Sequence, residues 1–126
     1  MEGQILTNSE WYVLNCLWER SPQTVMELVA ELGKQVGWAK STTITTLRRM
    51  EEKGLVKVEI QNRAKHYFPA LERDKAVRRE TRSFLDKVYR GSVGLMVSAM
   101  ADEKALSRAE IEELYGILRK AEEEMK

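Results

Sequence analysis

Cysteine is nearly absent from the chain: Cys16 stands alone among 126 residues. A single thiol closes no intramolecular disulfide, so a disulfide-held fold is excluded. Cys16 lies in an apolar run with Val13, Leu14, Leu17 and Trp18, which predicts a buried, inert thiol. Histidine is equally scarce. His66 has no cluster of Cys, Asp or Glu around it, so no metal site is expected. No apolar run approaches the ~20 residues that a membrane span needs. The start, Met1-Glu2-Gly3-Gln4, offers neither a basic region nor an apolar signal core, and a reducing cytoplasm is the expected location. No nucleophile–base pair, glycine-rich phosphate loop or metal cluster stands at workable spacing, so the chain does not read as an enzyme and no cofactor is expected.

Net charge is almost lacking too, at +1, but its distribution is uneven. Residues 1–33 hold one Arg against five Glu, residues 34–90 hold fifteen Lys and Arg against seven acids, and residues 91–126 hold five against eight. A basic middle between two acidic ends places phosphate-binding potential on the central segment. With 43% apolar residues the chain is ordinary for a folded protein, and its length suits one domain with or without an accessory segment.

Within that basic middle, Lys40–Gly54 reads KSTTITTLRRMEEKG. Ile44, Leu47 and Met50 recur at helical spacing and predict one apolar stripe. Ser41, Thr42, Thr45 and Thr46 cover the first half of the other face, Arg48 and Arg49 its middle, and Glu51 and Glu52 the far end. Short hydroxyl residues lower helix propensity, so a plain surface helix would favour Glu, Lys or Gln there. Hydroxyls and arginines facing outward suit a helix whose backbone must approach base edges in a DNA groove. Gly54 ends the helix. Val56, Val58 and Ile60 then alternate with Lys57 and Glu59 as in a half-buried strand, Gln61-Asn62-Arg63-Ala64 predicts a turn, and Lys65–Phe68 returns before Pro69. The pattern is a recognition helix followed by a wing carrying Arg63, Lys65 and His66.

Upstream, Thr7-Asn8-Ser9-Glu10 is a capping box that opens a helix to about Arg20, stopped by Pro22. Thr24-Val25-Met26-Glu27 is a second box, opening a short helix through Leu32 with Gly33 just past its end. Trp38 is expected as an apolar anchor that fixes how the third helix leaves its loop. Downstream, Glu72–Tyr89 predicts one long helix, Gly91-Ser92-Val93-Gly94 a break, and Leu95–Met100 a short helix apolar all round. A third capping box, Ser107-Arg108-Ala109-Glu110, opens the last helix, where Ile111, Leu114, Leu118, Ala121 and Met125 lie close to a heptad seam. Three such helices are too few to cover their own apolar faces. The expectation is therefore a homodimer with Phe84, Val88, Leu95, Met96, Met100, Ile111, Leu114 and Leu118 in the contact; a monomeric helical subdomain is the alternative. The fold class that follows is mainly α with a small antiparallel β wing: a winged helix-turn-helix over residues 1–71 for DNA and a helical dimerisation region over 72–126.

Four blocks, EWYVLNCLW (10–18), WAKSTTITTLRRMEEKG (38–54), FLDKVYRG (84–91) and LSRAEIEELYGIL (106–118), resemble the BlaI/MecI/CopY family of bacterial penicillinase and copper-homeostasis repressors. The last two blocks matter most, because winged helices in general share only the first two patterns. The resemblance implies an N-terminal winged helix, a C-terminal dimerisation region and a palindromic double-stranded operator with TACA and TGTA half-sites. It places the family's recognition-helix contacts on Lys40, Ser41, Thr42, Thr45 and Arg49. The family's usual Ser-Pro-Lys-Thr start is replaced by Ala39-Lys40-Ser41-Thr42. Copper-responsive members carry a C-terminal CxC…CxC cluster, and no cysteine follows Cys16, which excludes that kind of thiolate site. β-Lactam-responsive members are cut by a membrane-bound sensor protease at an Asn-Phe bond; the corresponding bond, a candidate proteolytic switch, is Ala99–Met100.

Two rivals stand beside this reading. A winged-helix protein–protein adaptor keeps the fold without a basic outward helix, which Ser41–Arg49 opposes. A ligand-sensing winged-helix repressor would line a small-molecule pocket with Trp11, Trp18 and methionines, residues that helical spacing more often sends into a core.

Overall fold

The capping boxes set where the helices begin. In the computed structural model, which describes residues 5–103 and 105–126, Thr7 and Glu10 open α1 (Asn8–Glu19) and Thr24 and Glu27 open α2 (Val25–Val36). Ser107 and Glu110 open α6 (Arg108–Glu124) in the same way. In each box the hydroxyl accepts from the glutamate amide at 3.2 Å and the carboxylate accepts from the cap amide at 2.9 Å. Two donors that the first helical turn leaves orphaned are thereby paired.

The second helix runs longer than its pattern suggests. Gly33 lies inside α2, and Gly37, at φ +72°, takes the left-handed position that ends it. The extra turn lets Val36 pack against the core, and a Cβ at Gly33 would meet only the Trp38 carbonyl oxygen at 3.5 Å. The chain offers two glycines four residues apart, and packing decides between them. α3 (Lys40–Lys53) ends at Gly54, at φ +78°.

A three-stranded antiparallel sheet follows in the order β1-β3-β2, with β1 at Gln23–Thr24, β2 at Val56–Gln61 and β3 at Ala64–Pro69. The hairpin register runs from Val56 opposite Pro69 to Gln61 opposite Ala64. Its two turn residues, Asn62 and Arg63, both have positive φ (51° and 65°), as the tight turn that matches strand twist requires. β1 is absent from the sequence expectation because two residues carry no alternation. It is held by pairing with Tyr67 and His66, and by the buried Gln23 amide, which donates to the carbonyls of Cys16 and Arg20 at 2.9 and 2.8 Å.

The core lies where α1, α2, α3 and the base of the hairpin converge, around Val13, Leu14, Leu28, Leu32, Leu47 and Met50. Trp18 meets Trp11 edge to face at 5.7 Å and donates its indole N–H to the Leu71 carbonyl at 3.0 Å. Trp38 packs against the core and meets Tyr12 edge to face at 6.0 Å. The tryptophans thus serve packing.

Beyond the sheet come α4 (Arg73–Tyr89), α5 (Val93–Asp102) and α6. The chain forms two compact units, one ending at Glu80 and one running Thr81–Lys126. The break before α5 is tighter than expected: Arg90 and Gly91 make it at φ +52° and +84°, while Gly94 is helical. The Ser92 hydroxyl accepts from the Leu95 amide at 3.1 Å and starts α5 early. Among the described residues, no helix is long and apolar enough to cross a membrane.

Candidate nucleic-acid interface

α3 rests on the core through Thr43, Leu47 and Met50, all buried. Ile44, expected in that stripe, is 41% exposed. At about 100° per residue, positions 43, 47 and 50 make the narrower stripe and position 44 falls on its flank. Thr43 takes the buried place, and its hydroxyl has no hydrogen-bond partner among the described residues. The cap residue Ala39 supplies no side-chain bond and no acid stands in the first turn, so α3 starts without the device shared by α1, α2 and α6. Lys40 occupies that turn instead, and the helix's partial positive end is left for solvent or an anion.

The outer face carries Ser41, Thr42, Arg48 and Arg49 exposed, with Thr45 and Thr46 half-buried. The Thr46 hydroxyl donates to the Thr42 carbonyl at 2.8 Å, so it keeps only acceptor capacity for anything outside the helix. Ser9 of α1 joins Ser41, Thr42, Thr45, Thr46 and Arg49 around a shallow hollow of about 290 Å³. Ser9 carries no signal of its own in the sequence, where it is an inner position of a capping box; only the packing of α1 beside α3 brings it there. Lys53 turns inward to pair with the nearly buried Glu10 carboxylate. Lys40, Arg48 and Arg49 make no ion pair among the described residues, and their charge faces solvent.

On the wing, Arg63 and Lys65 are exposed. His66 is half-buried, with Nδ1 facing the Ala64 carbonyl oxygen at 3.0 Å. Ile60, expected on the buried side of β2, is 74% exposed. Only the base of the hairpin, at Val56, Val58 and Tyr67, reaches the core, and the tip projects past its edge.

In the second unit, Phe84 and Val88 lie on α4, Leu95, Met96 and Met100 on α5, and Ile111, Leu114 and Leu118 on α6. Met96 and Leu114 are half-buried and the other six are exposed. Ala99, half-buried, precedes Met100 within α5. Elsewhere, Cys16 borders a polar hollow of about 240 Å³ with Glu19, Arg20, Gln23, Glu31 and Gln35. Burial, then the carboxylates of Glu31 and Glu19, push its thiol above the ordinary range, which keeps it protonated and unreactive.

Comparison with known proteins gives this surface a context. The penicillinase repressor family matches residues 6–120. The methicillin resistance regulatory protein MecI of Staphylococcus aureus (strain N315) is 28% identical over 115 residues, 91% of this chain and 94% of its own. The penicillinase repressor of Bacillus licheniformis is 30% identical over 113 residues, 90% of this chain and 88% of its own. A solution structure of the monomeric form of Bacillus licheniformis BlaI in complex with the blaP half-operator aligns with a TM-score of 0.52 at 25% identity, covering 58% of this chain and 89% of that one. With nearly its whole length matched, and with a helix-and-wing unit like that of BlaI, the chain belongs to the penicillinase repressor family.

Proposed function

We infer that this chain, a member of a family of DNA-binding repressors, acts as a homodimer on a palindromic operator and blocks transcription by occupying the promoter. The observation that carries the reading is the outward face of α3, where short hydroxyls and solvent-exposed arginines stand in place of the acids and caps of an ordinary surface helix. Lys40, Ser41, Thr42, Thr45, Thr46 and Arg49 enter the major groove, and Arg63 and Lys65 of the wing hold phosphates. The BlaI relative bound to its half-operator supports this docking. Residues 1–71 supply DNA binding. Residues 72–126 supply dimerisation through Phe84, Val88, Leu95, Met96, Met100, Ile111, Leu114 and Leu118, and this contact sets the half-site separation. The protein works in the cytoplasm.

Release from DNA by a membrane-bound sensor protease would act at Ala99–Met100. That bond lies inside α5, and proteases take extended backbone, so α5 must unwind before it is cut; a helix with no buried residue unwinds at low cost. The experiment that tests the whole reading is selection of bound sites from random DNA with the full chain. Twofold-symmetric sites at fixed spacing are the expected result, with TACA and TGTA halves as the family's pattern. Enrichment of no symmetric site overturns it.

A further inference from the structure

The hollow between α1 and α3 has a particular chemistry. Hydroxyl residues line most of it, Arg49 is its cation, and among the described residues no carboxylate and no large apolar side chain borders it. Glu10, next to Ser9, is 4% exposed, and its two oxygens are committed to the Thr7 amide and to Lys53. An organic ligand held by burial finds no apolar wall here. A phosphodiester, with two non-bridging oxygens that each accept several hydrogen bonds, matches hydroxyl donors gathered around one guanidinium. Because the Thr46 proton is used within the helix, the donors that remain are Ser9, Ser41, Thr42, Thr45 and Arg49.

We propose that this hollow seats one backbone phosphate of the bound duplex, with Arg49 as its cation and Ser9 as a hydroxyl donor from outside the recognition helix. The proposal rests on the reading of α3 as the DNA-binding helix and specifies what Arg49 does there: it clamps the backbone and does not read a base. Arg48, exposed and outside the hollow, is then the arginine of α3 available to base edges. A phosphate held jointly by α1 and α3 also fixes the rotation of α3 in the groove, so Ser9 acts as a positioning residue.

The test uses the full chain, the operator selected by the wild type and a scrambled duplex, with affinity measured across salt concentrations. Arg49→Ala weakens binding to both duplexes by the same factor, roughly tenfold or more, and lowers the salt slope by about one for each protomer of the dimer. Ser9→Ala weakens both by roughly threefold for each protomer, the effect of one neutral hydrogen bond apiece. Ser9→Asp pairs a carboxylate with Arg49, repels the phosphate and weakens both about as much as Arg49→Ala. Circular dichroism confirms that each variant is folded. A neutral methylphosphonate pair, one in each half-site, is then walked through the operator, and one symmetric pair of positions removes the difference between wild type and each variant. The proposal is overturned if the Arg49→Ala loss is confined to one base pair at an unchanged salt slope, if Ser9→Asp binds like wild type, or if no methylphosphonate position couples to the variants. Failure of the wild type to bind any duplex would instead defeat the reading of α3 itself, before any variant is compared.

Discussion

Leu14 on α1 and Leu118 on α6 each lie on the apolar side of an amphipathic helix opened by a capping box. Leu14 is fully buried, whereas Leu118 is 62% exposed. The contrast extends to the two units. Among the described residues, every buried side chain belongs to the unit that ends at Glu80, and none belongs to Thr81–Lys126. Helical periodicity therefore identifies a face to be covered without saying what covers it. In the first unit the chain covers its own faces; in the second the faces stay open, and a second copy is the cover proposed above.

The sharpest break of this contrast is Leu14→Ala, expected to cost about 2–5 kcal/mol in urea unfolding, because the transfer and cavity contributions both fall on a closed core. A loss below about 1 kcal/mol would mean that the first unit is not closed in solution. Next comes Thr43→Val, which removes a buried hydroxyl without a partner among the described residues and keeps the shape. It should stabilise the first unit by about 1–3 kcal/mol, read from the same denaturation curves. Leu118→Asp probes the other side of the comparison. Sedimentation should show the dimer dissociation constant rising at least tenfold, about 1.4 kcal/mol, with little change in unfolding at concentrations where the chain is already a monomer. A wild type that sediments as a lone chain at micromolar concentration would leave Thr81–Lys126 uncovered and defeat the dimer.

The smallest effect concerns what the two units share. Glu27 in one and Glu110 in the other are held below the ordinary carboxylate range, chiefly by the backbone amides of Thr24 and Ser107. A carboxylate whose folded pKa is depressed adds stability above its unfolded value, and that stability is lost as pH falls through the folded value. The melting temperature should therefore hold near neutrality and decline as pH drops below the ordinary 4.5, with Glu27→Gln and Glu110→Gln, which remove the titrating carboxyl, each flattening part of the decline. Both glutamates are solvent-exposed, so the effect is slight.

What could be read from the sequence divides along physical lines. The three capping boxes, the Asn62-Arg63 turn and the stop at Gly54 depend on neighbours within a few residues, and the structure realises each of them. The end of α2 depended on whether Val36 finds the core, and local chemistry favours Gly33 and Gly37 alike. Thr43 replaced Ile44 in the buried stripe because the choice turns on a few tens of degrees of helix rotation set by tertiary packing. β1 was too short to carry a period. Ile60 fits a half-buried strand by alternation, yet the core ends before it. Of the outward face of α3, Ser41, Thr42, Thr45, Thr46 and Arg49 were legible as one surface, but the contribution of Ser9 was not, since it comes from another element.

The turn of the wing has one further consequence. Arg63 holds φ at +65° without being glycine, a backbone state that L side chains occupy only against steric resistance. Arg63→Gly would relax that resistance and remove the guanidinium from the hairpin tip in the same stroke. The variant should melt at a higher temperature than its parent yet grip nucleic acid less firmly. Under the phosphate contact proposed for Arg63, folding and binding pull in opposite directions at this position.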